Sequence, residues 1–170
     1  MNPEWFGDSY DIVKRYLIEN LKSSGYQVFA DPMITGDWAE TIEKYYYFIG
    51  AVPLGTTCPK EKVLFIDPDT GIAHYNSNQH ITIENMIEKL AEYEIVFAFD
   101  QSFSRVGDSV QKMQDKLSKL SRTGTFGFYY NSHAKFLFCC ASKEKLKLFE
   151  KQLLSTGLPS ERILKTENFT

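Results

Sequence analysis

Cysteine is scarce in this 170-residue chain, net charge is small and long apolar runs are missing, and each shortage closes off a class of protein. Three cysteines make no disulfide framework. Cys58 stands alone in a polar loop, and the adjacent Cys139 and Cys140 point to opposite faces of an expected strand, which also disfavours a tetrahedral zinc set. A reducing cytoplasmic setting fits that usage. A net charge of -3 argues against a protein that coats nucleic acid through a general excess of Lys and Arg, though it does not exclude a local basic patch. No apolar run approaches the roughly 18 residues that span a bilayer. The opening Met1-Asn2-Pro3-Glu4-Trp5 lacks the basic, apolar and small-residue order of a signal peptide, so no membrane partner is expected. A glycine-rich phosphate loop is absent as well: Asp31-Pro32-Met33-Ile34-Thr35-Gly36, after the first expected strand, holds a single glycine. No internal repeat or low-complexity linker divides the chain.

What is present is a large core. At 43% hydrophobic, with thirteen Phe and ten Tyr, the sequence fits one α/β domain spanning residues 1–170. The aromatic load reads first as packing and second as a means of stacking on a ligand. Asp8 caps an expected helix with Ile12, Val13, Tyr16, Leu17 and Leu21 on one face, ended by Ser23-Ser24-Gly25. A strand Tyr26 to Ala30, a short helix Ala39 to Tyr47 and a strand Val63 to Ile66 follow. Thr82 opens a helix with Ile83, Met86, Ile87 and Leu90 inward, leading to a strand Ile95 to Phe99. Asp108 caps a helix with Val110, Met113, Leu117 and Leu120 inward, its Lys and Gln side reading as a solvated face. Segments 125–130 and 134–140 form a hairpin about Asn131-Ser132-His133. A last helix carries Leu146, Phe149, Leu153 and Leu154 and stops at Gly157. Helices alternating with strands, then a hairpin, predict a three-layer Rossmann-like sandwich, parallel in the middle and antiparallel near the C-terminus.

Three of the expected strands end on aspartate: Asp31, Asp67 and Asp100. In an open parallel sheet the carboxyl ends of the strands share one edge, where ligands bind. Asp67 and Asp69, at i and i+2 where a strand breaks into a turn, have the spacing to face one magnesium or manganese ion, with Asp100 and Asp31 as further ligand or base. Thr70 and Gly71 complete that turn. The same five residues, Asp67 to Gly71, equally read as a plain turn in which Pro, Asp, Thr and Gly each do local backbone work. Arg105 suits a phosphate or carboxylate, and equally a salt bridge. Ser102 and Ser104 suit substrate positioning or a helix cap. His133 is of the residue type that serves as a general base near neutrality, and equally reads as an exposed turn histidine. Trp38 is placed to stack on a ligand ring or to pack half-buried. His74 and His80 flank a polar loop with the look of a lid or a simple connection.

The run Phe65-Ile66-Asp67-Pro68-Asp69-Thr70-Gly71-Ile72, with Gln101-Ser102-Phe103-Ser104-Arg105 and Ser132-His133-Ala134-Lys135-Phe136-Leu137-Phe138, resembles a group of uncharacterised bacterial and phage proteins with an Asp-Pro-Asp-Asn/Thr-Gly signature. More distantly, Asp67-Pro68 after an apolar strand, with a late antiparallel hairpin, is similar to the Asp-Pro-Pro-Tyr segment of class I adenine-N6 methyltransferases. That resemblance implies a nucleobase pocket beside Asp67-Pro68. Asp69 and Thr70 replace the second proline and the stacking aromatic, so S-adenosylmethionine is not favoured as a cofactor. Asp67-Pro68-Asp69 also resembles the Asp-x-Asp of haloacid-dehalogenase-like and Toprim-like phosphoryl enzymes. The leading expectation is a metal-assisted hydrolase-type enzyme acting on a phosphoester of a nucleotide or nucleic acid. The alternatives are a methyltransferase-like domain, active or degenerate, and a non-catalytic nucleotide- or protein-binding module.

Overall fold

The computed structural model describes residues 3–38, 41–56, 61–103 and 108–167; Ala39, Cys58, Ser104 and Arg105 lie outside them. A seven-stranded sheet runs through the middle in the order β2 (Val52–Pro53), β1 (Gln27–Asp31), β3 (Lys62–Ile66), β6 (Ile95–Phe99), β8 (Phe136–Cys140), β7 (Phe126–Tyr130), β9 (Ile163–Lys165). β2, β1, β3 and β6 pair in parallel; β8 enters antiparallel to both β6 and β7, and β9 is antiparallel to β7. The three aspartate-tipped strands are therefore side by side, as expected, with their carboxyl ends on one edge.

Period-two alternation divides the core into two layers. Val63, Phe65, Ile95, Phe97 and Phe99 face one side, packed against α1 (Ser9–Ser23), α2 (Ile42–Ile49) and α5 (Lys143–Ser155). Leu64, Ile66, Val96 and Ala98 face the other, against α3 (Ile83–Lys89) and α4 (Ser109–Arg122). Stacked rings run across the first layer from Phe65 to Phe97 to Phe138 to Phe128. Cys139 and Cys140, both free and buried, divide between the two layers. No helix among the described residues is long and apolar enough to cross a membrane.

Caps form where the sequence places them: the side chains of Asp8, Thr82 and Asp108 accept backbone N–H groups at the starts of α1, α3 and α4. Several features differ from the sequence reading, which has no counterpart to the edge strand β2 and expects Val110 of α4 inward where it is exposed. The segment around His74 to His80 includes the ends of a small parallel pair, β4 (Gly71–Ala73) with β5 (His80–Thr82). Ile163-Leu164 becomes the edge strand β9. In α1, Ile12 and Tyr16 are exposed while Asp11 and Lys14 are buried in line with Ile18 and Leu21. Residues 11, 14, 18 and 21 form one helical row, and a charged pair that neutralises itself is what lets this row turn inward.

Candidate active site at the carboxyl edge

Asp67 and Asp100 leave adjacent strands at the same edge but face opposite layers, because each follows its strand by one residue in a register that pairs Ile66 with Ala98. Asp67 continues the Val63–Phe65 side toward α1 and α2; Asp100 continues the Val96–Ala98 side toward α4. Each is almost fully buried, at 1% and 2% exposure, and each is held by a lysine and a tyrosine.

On the first face, Asp67 Oδ2 accepts from Lys14 Nζ at 2.8 Å and from the Tyr45 hydroxyl at 2.6 Å. Lys14 Nζ also donates to Asp11 Oδ1 at 2.8 Å and stands 5.0 Å from the Phe99 ring centroid. Asp11 Oδ2 in turn accepts the Gly7 N–H at 2.8 Å. Burial disfavours charge on Lys14, but the carboxylates of Asp67 and Asp11 outweigh it and raise its pKa above the usual lysine value. Burial, against the pull of Lys14, raises the Asp11 carboxyl above the usual range, and burial with the nearby Asp67 raises the Tyr45 hydroxyl far above its usual value. The main chain joins this cluster to the neighbouring strand through Asp67 N–H donating to the Asp31 carbonyl at 2.9 Å.

On the second face all of Asp100's capacity is taken up. Oδ1 accepts the Ile72 and Ser102 N–H groups at 3.0 and 3.1 Å; Oδ2 accepts Lys116 Nζ and the Tyr129 hydroxyl, both at 2.6 Å. Four donors on one carboxylate fill its lone-pair positions. Lys116 also donates to Ser102 Oγ at 2.7 Å, and burial, partly offset by Asp100, lowers its pKa. Gly71 has φ +93°, and a Cβ there would stand 2.4 Å from Asp100 Oδ1 and 2.5 Å from the Gln101 nitrogen, so only glycine lets the turn lie this close.

A crevice of about 260 Å³ opens on the first face, lined by Asp8, Tyr10, Asp11, Lys14, Asp67, Pro68 and Asp69 with Trp5, Phe99 and Gln101. At its rim the Tyr10 hydroxyl and His133 Nε2 are 2.8 Å apart with their rings stacked at 5.5 Å. Of the residues marked out in the sequence, Asp67 and Asp69 line this crevice, with His133 beside it. Asp31 closes its own turn by accepting the Met33 N–H at 3.2 Å. Thr70 donates to the Gln79 carbonyl at 3.1 Å and contacts His80 Nδ1. Trp38 is buried at 3% exposure, edge-on to Phe6 and Tyr45 within the core. Ser102 lines a different pocket, on the α4 face. Among the described residues no three His, Cys, Asp or Glu side chains are grouped to hold a metal by themselves.

Sequence reasoning missed Asp11, Lys14, Tyr45, Lys116 and Tyr129. A usable signal existed: Lys14 and Lys116 each sit in the apolar row of a helix, Lys116 beside Met113, Leu117 and Leu120, and a lysine in such a row needs a buried acid. Neither family models nor curated proteins nor solved structures give a match to this chain.

Proposed function

We propose that the crevice on the α1 face carries out metal-assisted chemistry on a phosphoester of a nucleotide or nucleic acid. The observation behind this reading is its charge: four aspartates line it against one lysine, and that lysine is already shared between Asp67 and Asp11. A bare phosphate entering such a space is repelled; one that arrives with magnesium or manganese is attracted. Asp69, half-buried at the turn, and Asp67 would be the carboxylates that hold such an ion. An ion held there would supply Lewis-acid polarisation of a phosphoryl oxygen and a more acidic water. His133, hydrogen-bonded to Tyr10, is the base at the rim, and Asp11 holds the Lys14 ammonium in place on the floor.

Titration calorimetry of magnesium and manganese, with and without a panel of nucleotides, tests the reading. Wild type is expected to bind in the millimolar range or tighter, and Asp69→Asn to lose that binding while remaining folded without metal. Asp69 is the cleaner position because replacing Asp67 also strips a partner from buried Lys14. Absence of heat and of thermal stabilisation in wild type, with every nucleotide present, sinks the proposal; a ligand at about 100 times its Kd adds about 2.7 kcal/mol and is easily seen.

A second reading, a methyltransferase-like domain, draws support from β8 entering antiparallel between β6 and β7 and from Pro68 and Phe99 walling the crevice. S-adenosylmethionine in the same panel separates the two: stabilisation by it, without metal, favours the second.

A further inference from the structure

We propose that the pocket on the opposite face of the same edge binds the backbone of single-stranded nucleic acid, so that the substrate of the crevice is a strand and not a free mononucleotide. This deepens the function proposed above and rests on it only for what happens to the strand. The pocket, about 350 Å³, lies between α4 and the β4–β5 segment and is lined by Lys112, Lys116 and Lys119 with His74 and Tyr75. The three lysines stand at i, i+4 and i+7, one row along about 10 Å of helix axis at 1.5 Å per residue. A row of ammonium groups at that spacing suits successive backbone phosphates better than one small anion.

Three carboxylates temper the row: Asp100 pairs with Lys116 at 2.6 Å, Asp115 also lines the pocket, and Glu84 pairs with Lys119 at 2.5 Å. The Glu84–Lys119 pair is open to water on both sides and so contributes little and is readily exchanged for a phosphate. Lys116 is positioned differently. Asp100 and Ser102 hold it in place, and it lies 4.5 Å from the centroid of the Phe103 ring, with Lys135 at 5.8 Å from the same ring. Tyr75, 67% exposed and edge-on to His80, offers a flat face to a base at the pocket wall. Cations alternating with exposed aromatics are the means by which proteins hold single strands without reading sequence. The two sites meet at consecutive residues: Gln101 lines the acidic crevice and Ser102 the lysine pocket. A strand held by α4 therefore passes over the edge toward Asp69.

Fluorescence anisotropy with labelled 12-nucleotide oligothymidylate and oligouridylate, without metal, is the test. Wild type is expected to bind at least one of them at low salt, with Lys112→Gln/Lys119→Gln weakening it about tenfold or more and making the slope of log K against log salt shallower by about 1.4. Lys112→Arg/Lys119→Arg should retain binding. Tyr75→Ala should lose about tenfold and Tyr75→Phe little, because the ring and not the hydroxyl stacks. Failure of both oligonucleotides to bind, or equal binding by the Gln variant, overturns this inference even if metal and mononucleotide bind the crevice. Strand binding that survives a failed metal titration upholds it and removes only the catalytic proposal.

Discussion

At the scale of single residues, two tyrosines decide whether a buried aspartate is a satisfied group or a destabilising one. Tyr45 and Tyr129 each donate a hydroxyl to a carboxylate that has little contact with water. Replacing either by Phe keeps the ring and deletes one donor, which should cost about 1–3 kcal/mol. The pH dependence carries a clearer signature. Both hydroxyls have pKa values well above the usual 10.0, first through burial and then through the adjacent aspartate. Above pH 10 the unfolded chain therefore releases these protons while the folded one keeps them, and stability falls as pH rises. Lys14 acts in the same sense once pH passes 10.5, since its folded pKa is raised; Lys116, lowered by burial, acts in the opposite sense. Each Tyr→Phe change should flatten the alkaline slope by up to about 1.4 kcal/mol per pH unit. Urea unfolding at steps from pH 9 to 11 reads this directly; slopes identical to wild type would show that the tyrosines titrate alike in both states.

At the scale of elements, the turn from Asp67 to Gly71 ties the two faces together, beginning at the Lys14 cluster and ending against Asp100. Ala at position 71 meets a positive φ and two backbone nitrogens within 3 Å, Gln101 and Ser102, which cannot move aside as a flexible side chain does. Gly71→Ala should cost about 3 kcal/mol, measured by urea unfolding; a change under about 0.5 kcal/mol would mean the turn is free to relax. The turn residues were legible in the sequence, as were β1, β3, β6, the late hairpin and the caps at Asp8, Thr82 and Asp108, because alternation and capping are local properties. β2, β4, β5 and β9 were not: strands of two or three residues have no period, and only their partners make them strands. The buried face of α1 was misread for a related reason. Apolar pattern assigns Ile12 and Tyr16 to the core, whereas Asp11 and Lys14 take that place once Asp67 arrives from a strand more than fifty residues away. The aspartates were found by position; their lysine and tyrosine partners are tertiary facts.

At the scale of the whole molecule, completion of the edge waits on the end of the chain. β6 is buried along its full length, and its neighbour beyond β3 is β8, which arrives only after α4 and β7. The same hairpin delivers Tyr129 to Asp100, the Lys135 carbonyl to the Asp100 N–H at 2.9 Å, and His133 to Tyr10. A chain ending at residue 124 would leave β6 as an open apolar edge, the arrangement that invites strand-to-strand aggregation, and would strip Asp100 of the Tyr129 hydroxyl and the Lys135 carbonyl. Such a fragment should therefore fail to show a cooperative urea transition and should accumulate as aggregate, although it contains every parallel strand of the aspartate-bearing edge. The full chain should unfold in one transition, with amides of β3, β6 and β8 exchanging only through global opening and those of the edge strands β2 and β9 exchanging orders of magnitude faster. A soluble 1–124 fragment with a sharp unfolding transition would show that the parallel half is self-sufficient. In that case the hairpin's contacts to Asp100 and Tyr10 would be additions to an already folded edge and not conditions for it.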